Sequence, residues 1–499
     1  MTILQEIFSW LTIQTILVGT LVLLFVLWVQ NFSRCYNMPP GPMQWPIVGN
    51  LPSLAMIGKE NLLDYFKKLG DKYNGLFTIK MGDHLAVCIT DYSIMKEALL
   101  KQGACFSDRP SLHMMKVIQH SETIRGILFG NGRPWQLQKN FTIQSLRDEG
   151  VGKKTVEAKI QVEARALVSE LEKKVGQAQD PSGSVAMAVS NVICSMIFGA
   201  RYEYNDAEFT SLLKTINDMV QSVNWYDPRN VFSLLEYLPY PKSYNIVRNG
   251  QSQVSNLVVK EIEKHRKSLT VGENRDIIDR ALHISRKNGE DSKYFEGEEL
   301  NTLVLELFLA GADTSVQTLK WSLLLMAKYA EYQENCFTEI NTVIGERLPT
   351  MDDRACLPIV EATLSEIQRF RIVGPMAITH ISTKDATLRG FHIPKGTWVL
   401  PQLHAIMFDE KLWKDPNEFR PGRFLDSSGK FVVADELINF GIGKWSCPGE
   451  ALAKANHFIF FVMLIQKFKI LKTDVDVNLD PILGTNWSPN SQNIMFSLR

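Results

Sequence analysis

Apolar residues recur along most of the chain at the spacing of a helix that buries one face. This periodicity predicts helices at 135–147, 153–177, 185–199, 207–223, 245–268, 275–288, 298–329, 331–344, 358–371 and 450–467. Two segments, 76–81 and 84–90, have strand composition, and shorter strand-like segments follow at 386–393, at 397–400 and near the C-terminus. The chain shows no internal repeat. The predicted fold class is therefore mainly α with small β-sheets.

The apolar run at residues 7–29 contains no charged residue. A helix of this length, rising about 1.5 Å per residue, would cross a hydrocarbon core of roughly 30 Å. Trp10 and Trp28 lie near its ends, where indole rings favour the membrane interface. No basic segment precedes the run, which favours an uncleaved anchor over a signal peptide. Glu6 precedes the run and Arg34 follows it, which favours a body facing the cytosol.

A stiff turn, Pro39-Pro40-Gly41-Pro42, follows this run. Proline fixes φ and prevents helix formation, so the turn is expected to orient the folded body relative to the membrane. No linker rich in glycine, serine and proline interrupts the chain after residue 53. We expect a membrane anchor at 1–30, a proline-rich hinge at 31–53 and a single large domain at 54–499.

Composition excludes several classes of protein. The formal net charge of the 499 residues is zero, and no basic stripe suggests nucleic acid. The seven cysteines are scattered and form no CxxC pair, so neither a disulfide framework nor a zinc site is indicated. A reducing, cytosol-facing environment fits this usage best.

The longest helical pattern, at 299–329, is apolar on almost every side, as expected of a helix through the middle of a large core. It contains the small residues Ala310 and Gly311, followed closely by Asp313 and Thr314. Small residues allow a bulky group to approach the backbone. An acid and an alcohol here indicate either a proton path or a helix kink in which Thr314 bonds back to a carbonyl.

The stretch FGIGKWSCPG, residues 440–449, places Cys447 in a short loop before the helix at 450–467. Pro448 suits the first position of that helix, so the thiol would face free N–H groups that lower its pKa. Room for a flat partner comes from residues with small or planar side chains: Phe440, Gly441, Gly443 and Gly449. A soft thiolate fits an iron ligand or a nucleophile. His457, the nearest candidate base, is expected to face elsewhere.

The pattern FxxGxxxCxG is the heme-binding loop of the cytochrome P-450 family, and residues 440–449 resemble it closely. Glu366 and Arg369, alone typical of a routine surface pair, look like the family's ExxR motif. Ala310 to Thr314 resembles its oxygen-activation motif. Further family-like motifs follow in family order: PPGP at 39–42, FSDRP at 106–110 and FRPGRF at 419–424. The resemblance covers essentially the whole chain and is closest to the microsomal, family 2-like branch.

The resemblance implies the cytochrome P-450 fold, with heme between the long central helix and the loop of Cys447. Cys447 would be the axial ligand of the iron of heme b. Asp313 and Thr314 would deliver protons to dioxygen through water. Heme contacts are implied for Arg125, Trp135, Lys139 and His380 at the propionates, and for Phe440, Gly441, Gly443, Gly449, Ala310 and Gly311 at the ring.

Other roles also follow from the resemblance. Glu366 and Arg369 would be structural, and either Arg420 or Arg423 would complete their cluster. The substrate pocket would be lined by apolar and aromatic residues: Phe106, Ile118, Phe308, Val373 and Trp487. A lipophilic substrate follows from such a lining.

Three positions depart from the family pattern. Trp445 stands where a propionate-binding arginine is expected, Lys139 replaces the arginine of WxxxR, and Gly422 replaces a glutamate. Losing one charge-assisted hydrogen bond costs about 1.5–3 kcal/mol, so heme is expected to bind less tightly or with a shifted potential. On a strand-like loop Lys444 would point away from the side of Trp445 and would be a poor substitute.

The resemblance implies a membrane-bound monooxygenase of the endoplasmic reticulum that inserts one oxygen atom of O2 into a steroid, fatty acid or xenobiotic. The chain has no dinucleotide or flavin motif, so NADPH-cytochrome P-450 reductase, with cytochrome b5 as a possible second donor, is the expected partner. Docking candidates are Lys139, Lys444 and Lys454. Two alternatives stay open: a non-catalytic or impaired heme protein, and a reductase-independent isomerase or dehydratase.

Overall fold

The structure is a computed structural model that describes residues 15–22, 26, 37–58, 62–150, 154–223, 227–232, 235, 237, 239–270, 272–287 and 289–499. Its α-helices are α1 (Leu51–Ile57), α2 (Leu62–Lys72), α3 (Tyr92–Lys96), α4 (His113–Gln119), α5 (Gly126–Phe129), α6 (Gly132–Asp148), α7 (Lys154–Glu172), α8 (Ser182–Ile197), α9 (Ala207–Ser222), α10 (Pro228–Val231), α11 (Lys242–Ser268), α12 (Ile277–Ser285), α13 (Gly297–Lys328), α14 (Ala330–Val343), α15 (Pro358–Phe370), α16 (Leu403–Met407) and α17 (Glu450–Lys467). A π-helical turn lies at Glu97–Lys101, and 3-10 turns lie at Ser292–Phe295, Met351–Cys356, Pro421–Phe424 and Gly443–Trp445.

The strands are short, and most belong to small antiparallel sheets. They are β1 (Leu76–Met81), β2 (His84–Ile89), β3 (Ala178–Gln179), β4 (His380–Ile381), β5 (Ala386–Leu388), β6 (Phe391–Ile393), β7 (Trp398–Pro401), β8 (Phe468–Lys472), β9 (Pro481–Leu483), β10 (Trp487–Pro489) and β11 (Ile494–Leu498). One sheet has the order β1-β2-β7-β4, in which only the β2–β7 pair is parallel. The others are β3-β11-β8, β5-β6 and β10-β9.

The chain forms two compact units. The first comprises Met1–Asp108, Tyr226–Tyr237 and Ile378–Ala405, and the second comprises Arg109–Trp225, Leu238–Ala377 and Ile406–Arg499. The first unit contains the four-stranded sheet, whose β1 and β2 are almost entirely buried. The second unit contains most of the helices, the three-stranded sheet and the β9–β10 hairpin.

Helix α13 is the centre of the second unit. It packs against α8, α11, α15 and α17, and most of its side chains are buried because apolar residues occur on nearly every face. Helix α17 is similarly apolar over its run FIFFVMLI and packs against α7 as well. Pro358 begins α15, where its fixed φ suits the first helical turn. These helices place the cysteine loop beside the core.

The long elements agree with the sequence prediction. Helices α13, α15 and α17 begin and end within one residue of the predicted bounds, and β1 matches its predicted range. Predicted helix 153–177 instead ends at Glu172. Helix α2 was not predicted, and neither were the short helices α4 and α5, because one or two turns carry little periodicity. The architecture is mainly helical with small sheets, as predicted.

The predicted anchor at 7–29 lies largely outside the described residues. Its described part, residues 15–22 and 26, is helical with exposed side chains. Over the ranges given above, the structure contains no helix with the length and apolar character needed to span a membrane. The boundaries predicted for anchor, hinge and single domain remain predictions.

Candidate active site

The loop before α17 presents the Cys447 thiol. After the 3-10 turn at Gly443–Trp445, the Cys447 N–H donates to the Phe440 carbonyl at 2.9 Å, which closes the loop. The backbone N–H groups of Gly449 and Glu450 donate to the thiol. Helix α17 begins at Glu450, so Pro448 precedes the helix and is not its first residue. The thiol nevertheless lies at the start of the helix, as predicted.

Cys447 is exposed, but the protein atoms packed around its sulfur desolvate the thiolate and raise the pKa of the thiol above its ordinary value. The N–H groups of Gly449 and Glu450 and the charge of Lys139 oppose this effect without overcoming it. The N–H groups at the helix start therefore lower the thiol pKa, as predicted, but desolvation of the thiolate raises it by more. A bound cation would reverse the balance, because a metal ion deprotonates its thiol ligand.

Left-handed backbone shapes this loop. Gly441 has φ of 72° and Gly443 has φ of 76°, a region that side chains with a Cβ rarely adopt. These two glycines let the chain reverse twice before Cys447. The sequence prediction that glycines leave room in the loop is consistent with this conformation.

Thr314 and Asp313 occupy different surroundings on α13. Thr314 is exposed, and its hydroxyl donates to the Ala310 carbonyl at 2.8 Å, which is the bond that the kink interpretation anticipated. Asp313 is buried and accepts hydrogen bonds from Gln317 at 2.9 Å and from the Asn486 amide. Burial raises the pKa of the Asp313 carboxyl. The two side chains adjoin in sequence, but only Thr314 presents an accessible group.

The exposure pattern fits a flat iron-containing cofactor. Cys447 and Thr314 are exposed although α13 and α17 pack together in the core of the unit. Ala310 and Gly311 are only half-buried within the same stretch of α13. An accessible soft sulfur in a glycine-rich loop is the donor that a heme-thiolate site requires, whereas Gly311 faces Ile193 of α8, whose Cδ1 would lie 2.9 Å from an added Cβ. The residues present therefore fit heme.

A buried cation stacks on the unusual tryptophan of the loop. The Arg109 guanidinium carbon lies 3.9 Å from the Trp445 ring centroid, and the Trp445 and Trp135 ring centroids lie 4.1 Å apart. Arg109 Nε donates to the Leu128 carbonyl at 3.2 Å, and its backbone N–H donates to Asn131 Oδ1 at 2.7 Å. Burial lowers the pKa of Arg109 to about 9, so it stays charged at neutral pH. Arg109 lies in the FSDRP motif, but the motif alone predicted no role for its side chain.

Lys139 holds the cysteine loop from α6. Its Nζ donates to the carbonyls of Lys444 and Ser446, the second at 3.4 Å. Burial lowers the pKa of the Lys139 amine. Because Gly443–Trp445 is a 3-10 turn, the alternation expected of a strand-like loop does not apply, and Lys444 Nζ lies 5.1 Å from the Trp135 ring centroid.

The other predicted propionate partners have protein contacts of their own. Arg125 Nε lies 3.3 Å from Glu299 Oε1, and the Trp135 indole N–H donates to the Ile127 carbonyl at 3.1 Å. His380 lies on β4 in the first unit and is buried. Heme contacts of these three residues stay predictions.

Glu366 and Arg369 form a fully buried pair, so the interpretation as a routine surface pair is wrong. Arg369 donates to both Glu366 oxygens, at 2.7 and 2.8 Å, and also to the Met407 carbonyl at 2.8 Å. Arg423 brings its guanidinium to within 3.0 Å of the same carboxylate, whereas Arg420 contributes only its backbone N–H. Arg423 is therefore the arginine that completes the cluster through its side chain.

The predicted substrate-lining residues fall into two groups. Phe106, in the first unit, and Phe308, in the second, are 0% exposed. Ile118, Val373 and Trp487 are half-buried, and the Trp487 N–H donates to the Val373 carbonyl at 2.7 Å, which brings these two together. Substrate contacts stay predictions for all five.

Glu306 is a buried acid on α13 that the sequence analysis missed. Its carboxylate accepts from the Leu128 N–H at 2.8 Å, and a Cβ on Gly126, whose φ is 91°, would come within 2.3 Å of it. Burial raises the pKa of Glu306 to about 8. The signal was present in the sequence, because Glu306 interrupts the same apolar run as Asp313.

Comparison with known proteins agrees with a heme-thiolate site. A family model described as Cytochrome P450 matches residues 39–492. Cytochrome P450 2C23 of Rattus norvegicus is 36% identical over 485 residues, which cover 96% of each chain. Cytochrome P450 2C16 of Oryctolagus cuniculus is 37% identical over 469 residues, covering 93% of this chain and 94% of the relative. Cytochrome P450 2J2 of Homo sapiens is 36% identical over 460 residues, covering 91% and 90%.

Proposed function

Because the chain belongs to the cytochrome P450 family, we propose that it oxidises a lipophilic small molecule with electrons that a separate reductase takes from NADPH. Members of this family are monooxygenases that bind heme b through a cysteine thiolate and require O2 and a redox partner. The mainly helical architecture with small sheets is the fold of that family. A steroid, a fatty acid or a xenobiotic is the proposed substrate class.

The observation that carries the proposal is the exposure of Cys447 and Thr314 on otherwise buried elements. When bound, heme supplies the iron centre for dioxygen chemistry. Cys447 would hold that centre through its thiolate, and the N–H groups of Gly449 and Glu450 would stabilise the negative charge on sulfur. The glycine-rich backbone before Cys447 keeps bulky side chains away from the ligand.

Proton handling falls to neighbouring residues of α13. The Thr314 hydroxyl donates its hydrogen to the Ala310 carbonyl, which leaves its oxygen lone pairs able to accept from a water. The buried Asp313 carboxyl has a raised pKa and retains its proton at a higher pH than an exposed aspartate. We assign Thr314 to positioning the water and Asp313 to supplying the proton.

Arg109 supplies the positive charge that Trp445 cannot. Heme carboxylates need cationic or hydrogen-bonding partners inside an apolar pocket. Arg109 is buried, charged at neutral pH and stacked on Trp445, and Lys139 is already engaged by the loop carbonyls. We therefore assign Arg109 to a heme carboxylate and Lys139 to holding the loop.

Membership of the cytochrome P450 family also suggests the redox partner and the membrane location of the chain. Lys444 is exposed on the cysteine loop, and Lys454 pairs with Glu450 at 2.7 Å on the first turns of α17. These cations suit an acidic partner such as NADPH-cytochrome P-450 reductase, with cytochrome b5 as a second donor. The apolar run at 7–29 supports attachment to the endoplasmic reticulum membrane.

Reconstitution of the full chain with reductase and NADPH tests the proposal. Lipophilic compounds that shift the heme spectrum should be oxidised only when NADPH, O2 and reductase are all present. Thr314→Ala should keep NADPH consumption but lower the product formed per NADPH several-fold, and Thr314→Ser should restore most of it. Product formed without NADPH would indicate the isomerase or dehydratase instead.

A further inference from the structure

A continuous line of hydrogen bonds crosses the core of the second unit behind the cysteine loop. Asn439 Nδ2 donates to Gln368 Oε1 at 2.9 Å, and Gln368 Nε2 lies 3.2 Å from His457 Nδ1. His457 Nε2 lies 2.6 Å from Ser322 Oγ, which lies 2.8 Å from the Thr318 carbonyl. The line joins the loop before Cys447 to α15, α17 and α13.

The partners determine which way each hydrogen points. The Thr318 carbonyl can only accept, so the Ser322 hydroxyl donates to it and accepts from His457 Nε2–H. The bare Nδ1 of His457 then accepts from the Gln368 amide, whose oxygen accepts from Asn439. Burial lowers the pKa of His457 to about 3, with a smaller contribution from the nearby charge of Arg354, and this low pKa agrees with a neutral ring.

His457 is a polar residue that adjoins a buried apolar stretch of α17. The four residues that follow it, FIFF at 458–461, are apolar and at most 2% exposed. Burying an imidazole among such residues is unfavourable unless both ring nitrogens are bonded, and here both are. A simple packing role would be served better by an apolar side chain. The chemistry of His457 therefore indicates that its two bonds matter.

The loop end of this line leads directly to the proposed iron ligand. Asn439 precedes Phe440, whose carbonyl accepts from the Cys447 N–H at 2.9 Å. We propose that His457 is a positioning residue for Cys447, acting through Gln368 and Asn439 to fix the segment that orients the thiolate. This proposal rests on Cys447 being the heme ligand as proposed above. The Gln368 bond connects the imidazole to the loop, whereas the Ser322 bond satisfies the other ring nitrogen inside the core.

Two matched substitutions separate the two bonds. The side-chain nitrogen of His457→Gln is placed near the former Nε2, so it keeps the donor to Ser322 and loses the acceptor for Gln368. The side-chain oxygen of His457→Asn is placed near the former Nδ1, so it keeps the acceptor for Gln368 and loses the donor to Ser322. Both variants bury one amide in the same site.

The test uses the full-length protein with heme and has two readouts. One is amide hydrogen exchange in residues 440–449. The other is the fraction of the carbon monoxide complex that has the spectrum of a protonated thiol. His457→Gln is expected to speed exchange at Cys447 about fivefold, the factor for one lost hydrogen bond, and to raise the protonated-thiol fraction several-fold. His457→Asn should stay close to wild type in both.

Equal changes in the two variants, or no change in His457→Gln, would overturn the proposal and leave His457 as a core residue that only fills space. Asn439→Ala, at a half-buried loop position, must reproduce the His457→Gln result, and it decides the matter if His457→Gln does not fold. The double variant His457→Gln/Asn439→Ala must show exchange and a protonated-thiol fraction no larger than those of either single variant, because both substitutions interrupt the same line of hydrogen bonds. Absence of a thiolate spectrum in wild type would contradict the proposed function instead, whereas the exchange comparison would still test His457.

Discussion

Trp445 replaces a charge with an aromatic face and gains a charge from elsewhere in the chain. It receives the Arg109 guanidinium on one face at 3.9 Å and stacks near Trp135 at 4.1 Å. A buried cation–π contact contributes up to about 2 kcal/mol, and an aromatic pair about 0.5–1.5 kcal/mol. We therefore expect this local arrangement to offset much of the charge that is missing at the family position.

Trp445→Ala should release heme faster than wild type, several-fold to tenfold, because Arg109 loses the surface that holds it. Trp445→Phe keeps an aromatic face and should lie between the two. Transfer of heme to apomyoglobin measures the release rate. Equal rates for the alanine variant and wild type would show that the stack does not contribute to retention.

The cluster around Glu366 makes a prediction about stability. Glu366→Gln leaves Arg369 and Arg423 facing a neutral amide in the core, and breaking a buried ion pair in this way costs about 3–5 kcal/mol. Arg420→Ala is the matched control, because its side chain pairs with Asp415 at the surface at 3.2 Å and should cost at most about 1 kcal/mol. Urea unfolding of both variants gives the comparison. Similar losses would contradict the assigned difference in burial.

Helix α13 contains a titrating contact with α5. The folded state raises the pKa of Glu306 from 4.5 to about 8, so it binds a proton more tightly than the unfolded chain does. The stability contributed by protonated Glu306 is complete below pH 4.5 and is lost as the pH rises through about 8.

Glu306→Gln should therefore remove part of the fall in melting temperature between pH 5 and pH 8 that wild type is expected to show, given the pKa of about 8. Glu298→Gln, an exposed position on the same helix, should leave the pH profile of wild type unchanged. Parallel profiles for wild type and Glu306→Gln would contradict the raised pKa. Melting temperatures at a series of pH values provide the test.

The elements that the sequence predicts well are those whose periodicity extends over many turns. Helix α17 was predicted with its observed bounds, because apolar residues recur along most of its length. The short α5 was not, because its position depends on Glu306, which lies 178 residues away from Leu128 in the sequence. The choice of Arg423 over Arg420 also needed the fold, since both lie in one short motif.

The chain as a whole combines motifs that are individually weak. Cys447, Thr314 and the Glu366–Arg369 pair were recognisable from their order along the chain, and the structure places the pair in the core and leaves Cys447 and Thr314 accessible. The stacking of Arg109 on Trp445 was not recognisable from the sequence, because the two residues lie 336 positions apart in the chain and meet only in the folded structure. Sequence alone therefore indicated the cofactor, and the fold supports the proposal that Arg109 compensates for the missing charge.

Ligation by Cys447 is the central claim, and the carbon monoxide difference spectrum of the reduced full-length protein tests it most directly. Wild type should show the long-wavelength band of a thiolate-ligated heme, and Cys447→Ser should lack it. Cys356→Ser, at another exposed cysteine, is the matched control and should keep the band. A band that persists in Cys447→Ser, or that is missing from wild type, would contradict the account.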